Sequence, residues 1–264
     1  RVRSLIAENP ERARQVDMVG NTPLHWGVEN GNLDMVRLLV ESGSPVNFRR
    51  GDGRAPSHVA IFGFHRYWRR EEKPEILNYL LENGAEYSLL IAAATGDVKR
   101  VRELLREDSK RANALDPIGR RPLSCAAEIG HVELVRLLLE HGADPNGHEL
   151  ICQGGYALNI AAFNNHLEVA RLLLEYGANP EHWVDSSGTP IIGAAHRGHS
   201  EMMQLLYSYG ATTKIQFYAS NYRIDVVAEV LKLKPSLAND VLPYQWKYPW
   251  DRPQLAMDIM RLAI

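Results

Sequence analysis

The chain has 264 residues, 45% hydrophobic and 23% charged, the balance of a soluble globular protein with ample material for a core. Thirty basic residues against 32 acidic ones leave a net charge of −2, which gives no basis for a general affinity for nucleic acid or anionic lipid. Two cysteines exclude a disulfide scaffold and favour a reducing, cytoplasmic setting, and no run approaches the roughly 20 apolar residues that cross a bilayer. The chain opens on Arg1 without a signal-peptide pattern; the missing initial Met points to a domain excised from a larger protein.

In chain order, the first segment, Arg1–Asp17, reads as half of a helical unit, and its apolar positions Val2, Leu5 and Ile6 need a cover. Thr22-Pro23-Leu24-His25 then opens a short helix, and a related element follows 33 positions later at Ala55-Pro56-Ser57-His58. Further copies stand at Arg121-Pro122-Leu123-Ser124, Tyr156-Ala157-Leu158-Asn159 and Thr189-Pro190-Ile191-Ile192. Each is followed by a second, apolar helix: 34–41, 75–82, 133–140, 168–175 and 201–207. Gly43, Gly84, Gly142, Gly177 and Gly210 close these second helices, as suits a left-handed terminating position. The Thr-Pro pairs suit a cap followed by a first helical turn. Self-similarity at such a period marks a stack of repeats.

The pattern resembles the ankyrin repeat, from Asn21-Thr22-Pro23-Leu24-His25 through Gly43-Ser44-Pro45-Val46-Asn47 and again from Gly130 to Asn146, with five copies in phase. The resemblance covers roughly residues 1–240. It implies an all-α solenoid of stacked helix-turn-helix repeats with finger loops, about seven repeats full or partial. The chain is expected to form one such domain over 1–264, with 242–264 as an atypical C-terminal cap or the start of a further repeat. Two departures stand out. Arg1–Asp17 returns 99 positions later as Arg100–Asp116 with 8 of 17 residues identical, and a weaker third copy spans Val226–Leu242. Finger loops are absent after Gly84 and Gly210, which predicts a discontinuous groove with long fingers clustered at 142–156 and 177–189.

Ten histidines require that a metal or catalytic site be considered. The resemblance makes His25 and His58 links between repeats and puts His131 and His199 in structural turns. Cys125 and Cys152, 27 apart around His141 and His148, match no zinc spacing, and Cys125 on a first helix suits a buried thiol. No phosphate loop, nucleophile elbow or paired His-Glu motif occurs. The chain is therefore expected to carry no catalytic residue, no cofactor and no metal. A small-molecule or metal patch around His182, His196 and His199 is the rival possibility.

In the family, partners bind the finger tips and the exposed positions of first helices. Carried over, the first helices would display Trp26, Glu29 and Asn30, then Cys125, Glu128 and Ile129, then Ile160, Phe163 and Asn164, then Gly193, His196 and Arg197. The fingers would display Phe48, Arg49, Arg50 and Arg54, then His148 and Glu149, then His182, Trp183 and Asp185. An insertion, Phe64–Pro74, adds Tyr67 and Trp68 among charges, and Leu242–Pro253 is rich in Pro and aromatics. Trp, Tyr and Arg concentrate binding energy at interfaces. The expected function is a monomeric protein-binding scaffold or adaptor. Its expected anchors are Trp183 and Phe163, with Arg49 and Arg50 tuning by charge. A regulatory or targeting domain of a larger enzyme is the alternative.

Overall fold

A computed structural model describes residues 2–63, 73–117, 119–150, 156–184, 188–212 and 224–237. Its contacts divide into two compact units, Arg1–Pro122 and Leu123–Ile264. Among the described residues the named elements are helices, and Val184 and Gly188 form an isolated antiparallel bridge.

The first unit contains α1 (Val2–Glu8), α2 (Pro23–Glu29), α3 (Leu33–Glu41), α4 (Pro56–Phe62), α5 (Pro74–Glu82), α6 (Leu89–Thr95) and α7 (Val98–Glu107). The second contains α8 (Pro122–Glu128, opening at the boundary), α9 (Val132–Glu140), α10 (Ala157–Phe163), α11 (Leu167–Glu175), α12 (Pro190–Arg197), α13 (Ser200–Ser208) and α14 (Ile224–Leu233). Within each unit the helices pair as short first and longer second helices: α2 with α3, α4 with α5, α6 with α7, α10 with α11, and α12 with α13. First helices also pack on first helices, as α4 on α2 and α12 on α10. This is an all-α solenoid of stacked helix-turn-helix repeats with finger loops.

Local chemistry sets the boundaries. Asn32 and Asp97 accept the Met35 and Arg100 amides at 2.9 Å, capping α3 and α7. Thr22 caps α2 through the His25 amide, whereas Thr189 makes no side-chain cap on α12. Each predicted glycine stop after a second helix has positive φ, from 83° at Gly43 to 88° at Gly210. The residue after it donates back into the helix, as Ser44 to the Leu39 carbonyl and Ala143 to that of Leu138. Both carbonyls lost at the helix end are thus answered, as in a Schellman motif. The repeated segments lack that glycine. There a side chain takes over: Asn9 accepts the Glu11 amide and Asp108 the Lys110 amide, each starting a 3-10 turn that buries Ala13 or Ala112.

Leucines and alanines at equivalent places of the repeats form the core, although Leu38 and Leu81 are only half-buried. Leu39, Leu80, Leu105, Leu138, Leu173 and Leu206 are buried, as are Ala126, Ala127, Ala161, Ala162, Ala194 and Ala195. Small residues let first helices lie close, and burial against neighbours supplies what one helix pair lacks.

Candidate functional site

The finger loops are tied down by side chains repeated in register. In the first unit Asn47 donates to the Gly84 carbonyl and accepts the Glu86 amide, both at 2.8 Å. In the second unit Asn146 does the same for Gly177 and Asn179, also at 2.8 Å. Glu181 accepts both the amide and the hydroxyl of Thr212. A bonded loop keeps its shape before any partner arrives, so little ordering entropy is lost on contact.

In four of the five opening elements the fourth residue is polar and reaches into a later loop. His25 donates from Nε2 to the Arg54 carbonyl at 3.1 Å, while its Nδ1 accepts from Thr22. Asn159 reaches the Gly188 carbonyl at 3.1 Å, and Ser124 donates to the buried Glu149 carboxylate at 2.5 Å. His58 has no adjacent finger to meet, because none follows Gly84. Its Nε2 instead bonds the Asp116 carboxylate at 2.8 Å, 58 residues on. The link expected at His25 is found; at His58 the acceptor is a carboxylate rather than backbone.

Burial pushes the His25 imidazole below its ordinary pKa. The neutral ring is the form that fits, since protonated Nδ1 would face the Thr22 amide as donor to donor. A group whose folded pKa is depressed supports stability above its unfolded value and loses that support as pH falls. The urea midpoint should therefore decline as pH falls below about 6.5. That decline should be shallower in His25→Asn, measured by circular dichroism between pH 8 and 5. Equal slopes would mean that His25 is not the group responsible.

The loss of one finger does not leave the neighbouring fingers apart. Gly53, with φ at 86°, sits so close to Pro117 that a Cβ there would lie 2.6 Å from the proline ring. Arg120 lies over the Phe62 ring at 5.1 Å. Beside Pro117 lies a cleft of about 470 Å³, lined in part by Arg49, Tyr87, Arg100, Leu104 and Leu115. The turns that carry Gly53 and Pro117 are thus in contact across the missing finger in this unit.

Several residues expected on display are not. Arg50 is largely buried against Asp52 at 3.0 Å, and buried Arg54 donates to the Gly63 carbonyl at 2.8 Å. Both serve the finger's interior, because a basic side chain at a tight turn finds acceptors nearer than solvent. Arg49, by contrast, stays exposed while it bridges Gly53 and Glu86, the latter at 2.7 Å. Cys125 and Ile160 are buried on the packed faces of α8 and α10, and Glu149 is buried with Ser124. Tyr67, Trp68, Asp185 and the 242–264 segment lie outside the described residues.

Other expected positions are at the surface. Trp183 is 47% exposed at a finger tip, beside half-buried His182, whose imidazole burial pushes down. On the first helices, half-buried Phe163 carries the exposed Arg197 guanidinium 4.2 Å above its ring, a cation–π pair. His196 beside it is exposed, and Phe48 stands edge-on to His25. His199 holds the Phe163 carbonyl at 3.2 Å through Nε2, so this one histidine of the patch serves the stack. Among the described residues no three His, Cys, Asp or Glu side chains are grouped to hold a metal ion.

Sequence reasoning overlooked the first finger. Asp17 accepts the Val19 and Asn21 amides and the Asn21 side chain, all at 2.9 Å, and the Trp26 indole at 3.0 Å. The bonds from Asn21, above all, hold its carboxyl far below the usual carboxylate range. That turn pushes Met18 fully into solvent and leaves Val19 more than half exposed. The Asp-x-x-Gly spacing, repeated at 116–119, was the available signal.

Capped helix pairs, bonded fingers and an exposed aromatic and basic surface define a repeat scaffold for macromolecular contact. The chain belongs to the ankyrin-repeat family: the model for "Ankyrin repeats (3 copies)" matches residues 1–90, 64–149, 89–182 and 146–217. Ankyrin repeats are protein-interaction modules without catalytic chemistry of their own. The chain is 30% identical over 155 residues to the Danio rerio protein named "Putative palmitoyltransferase ZDHHC13", a match covering 52% of this chain and 23% of that protein. It is 29% identical over 137 residues to human "Transient receptor potential cation channel subfamily A member 1", covering 51% of this chain and 12% of that protein. The match thus spans a quarter or less of the length of these curated relatives. Among the described residues no helix is long and apolar enough to cross a membrane.

Proposed function

We propose that the chain is a cytoplasmic, monomeric protein-binding module that contacts its partner through fingers and first helices. It takes part in no catalysis, cofactor binding, nucleic-acid binding or membrane insertion. The observation that carries this is the surface of the second unit, where Trp183 stands nearly half exposed on a bonded finger and Arg197 stacks on Phe163. Aromatic and arginine side chains held in place are the usual anchors of an interface. In this reading Trp183, Phe163 and Arg197 anchor the contact, with His182 and His196 beside them. Phe48 and Arg49 add a lesser contact from the first unit. The size of the relatives favours a second, compatible statement: the module serves as a targeting or regulatory part of a larger protein, an enzyme among the options.

The test places a photo-crosslinking residue at position 183 and, as a control, at exposed Arg136 on α9. A specific adduct is expected from 183 alone. For the partner so identified, Trp183→Ala and Phe163→Ala should each cost about 2 kcal/mol or more in binding by calorimetry, and Arg49→Ala much less. If only Tyr67→Ala and Trp68→Ala weaken binding, the insertion is the site and this assignment is wrong.

A further inference from the structure

Helices α1 and α7 are copies of one sequence, yet their apolar faces are covered differently. In α7, Val101, Leu104 and Leu105 are 0%, 4% and 1% exposed, with α6 packed along the helix. Their counterparts in α1, Val2, Leu5 and Ile6, are 37%, 39% and 8% exposed. The first helices show the same asymmetry. All of α4 is buried between α2 and α6, whereas α2 leaves Trp26 46% exposed. Val2 of α1 and Trp26 of α2 meet in a groove of about 520 Å³, lined in part by Val16, Pro23, Met35 and Leu39 and edged by polar side chains such as Arg12 and Asn30.

We infer that this groove is the seat of the first helix of one more repeat, a two-turn helix of the α6 kind. Three features specify the occupant. The internal copy shows what lies on this face when it is filled: α6, seven residues of leucine, isoleucine, alanine and threonine, capped by Ser88. The two exposed faces belong to a second helix and to the first helix of the following repeat; α6 packs in the same way on its second helix α7, and α2 packs on the following first helix α4. The Trp26 indole is already fixed by its bond to Asp17, so the wall of the groove needs no ordering to receive a helix. Trp26 therefore belongs to the stack, apart from the partner surface proposed above.

The experiment places a second copy of residues 85–99 directly ahead of Arg1 in the full chain, as they stand ahead of Arg100. Hydrogen exchange is followed by mass spectrometry over residues 2–29, with peptides of the second unit as an internal control. Exchange in α1 and α2 should slow at least about tenfold, since covering two aliphatic side chains and an indole stabilises a fraying edge by more than 1.4 kcal/mol. The same graft carrying Leu90→Asp and Ile91→Asp in its added copy should give no protection. Equal exchange with the native and the charged graft would overturn the inference. So would protection of residues 2–29 that rises with concentration in the ungrafted chain, which would assign the groove to a second copy of this chain.

Discussion

Leu138→Ala should lower the unfolding free energy by about 2–5 kcal/mol, the range for emptying a leucine site in a packed core. Leu138 is fully buried on α9, and its carbonyl accepts the Ala143 amide in the glycine-terminated end of that helix. Its loss removes contacts in the core of the second unit, where neighbouring helices are already close-packed and cannot collapse into the void. His141→Ala, three residues on, removes a half-buried ring whose Nδ1 bonds the Leu137 carbonyl at 2.8 Å. That substitution should cost about 0.5–1.5 kcal/mol. A urea titration of both variants checks the difference. Equal losses would show that α9 does not bury the face assigned to it.

Gly130→Ala should cost about 2–4 kcal/mol, more than backbone strain alone. Its φ is 71°, and a Cβ would fall 2.5 Å from Nδ1 of His166. The left-handed conformation costs an L-residue about 1–2 kcal/mol. The displaced imidazole would also lose the Glu128 carbonyl, now 3.1 Å from its Nε2, at about 1 kcal/mol more. Gly142→Ala separates the two contributions, because Gly142 has φ at 83° and nothing within 4 Å of its Cβ position. Its cost should stay near 1–2 kcal/mol. The equivalent turn one repeat later supports the comparison: Asn165 adopts φ at 60° there, a conformation asparagine tolerates. Calorimetric melting of the two alanine variants measures the gap, and its absence would mean that His166 does not sit over Gly130.

The candidate surface was only partly legible. Trp183 and Arg197 are where repeat register puts them, since a finger tip and the last turn of a first helix are set by local spacing. Arg50, Arg54 and Glu149 occupy equally tip-like positions yet are buried, or nearly so. Register says which loop a residue is on; whether its charge meets solvent or a neighbouring carbonyl depends on the fold of that loop. The stack of Arg197 over Phe163 joins two repeats, and no pattern within either repeat announces it.

By itself the sequence determined the all-α repeat class, the helix pairs, their glycine stops and the leucine and alanine core. These follow from caps, φ preferences and apolar periodicity, which act over a few residues and recur in every copy. Tertiary structure alone decided three things. It gave His58 a carboxylate 58 residues away, brought Gly53 against Pro117 across the missing finger, and left α1 uncovered where α7, of nearly the same sequence, is buried. The physical reason is common to all three: a short helix or turn carries its own backbone bonding, but burial is conferred by whichever neighbour packs against it.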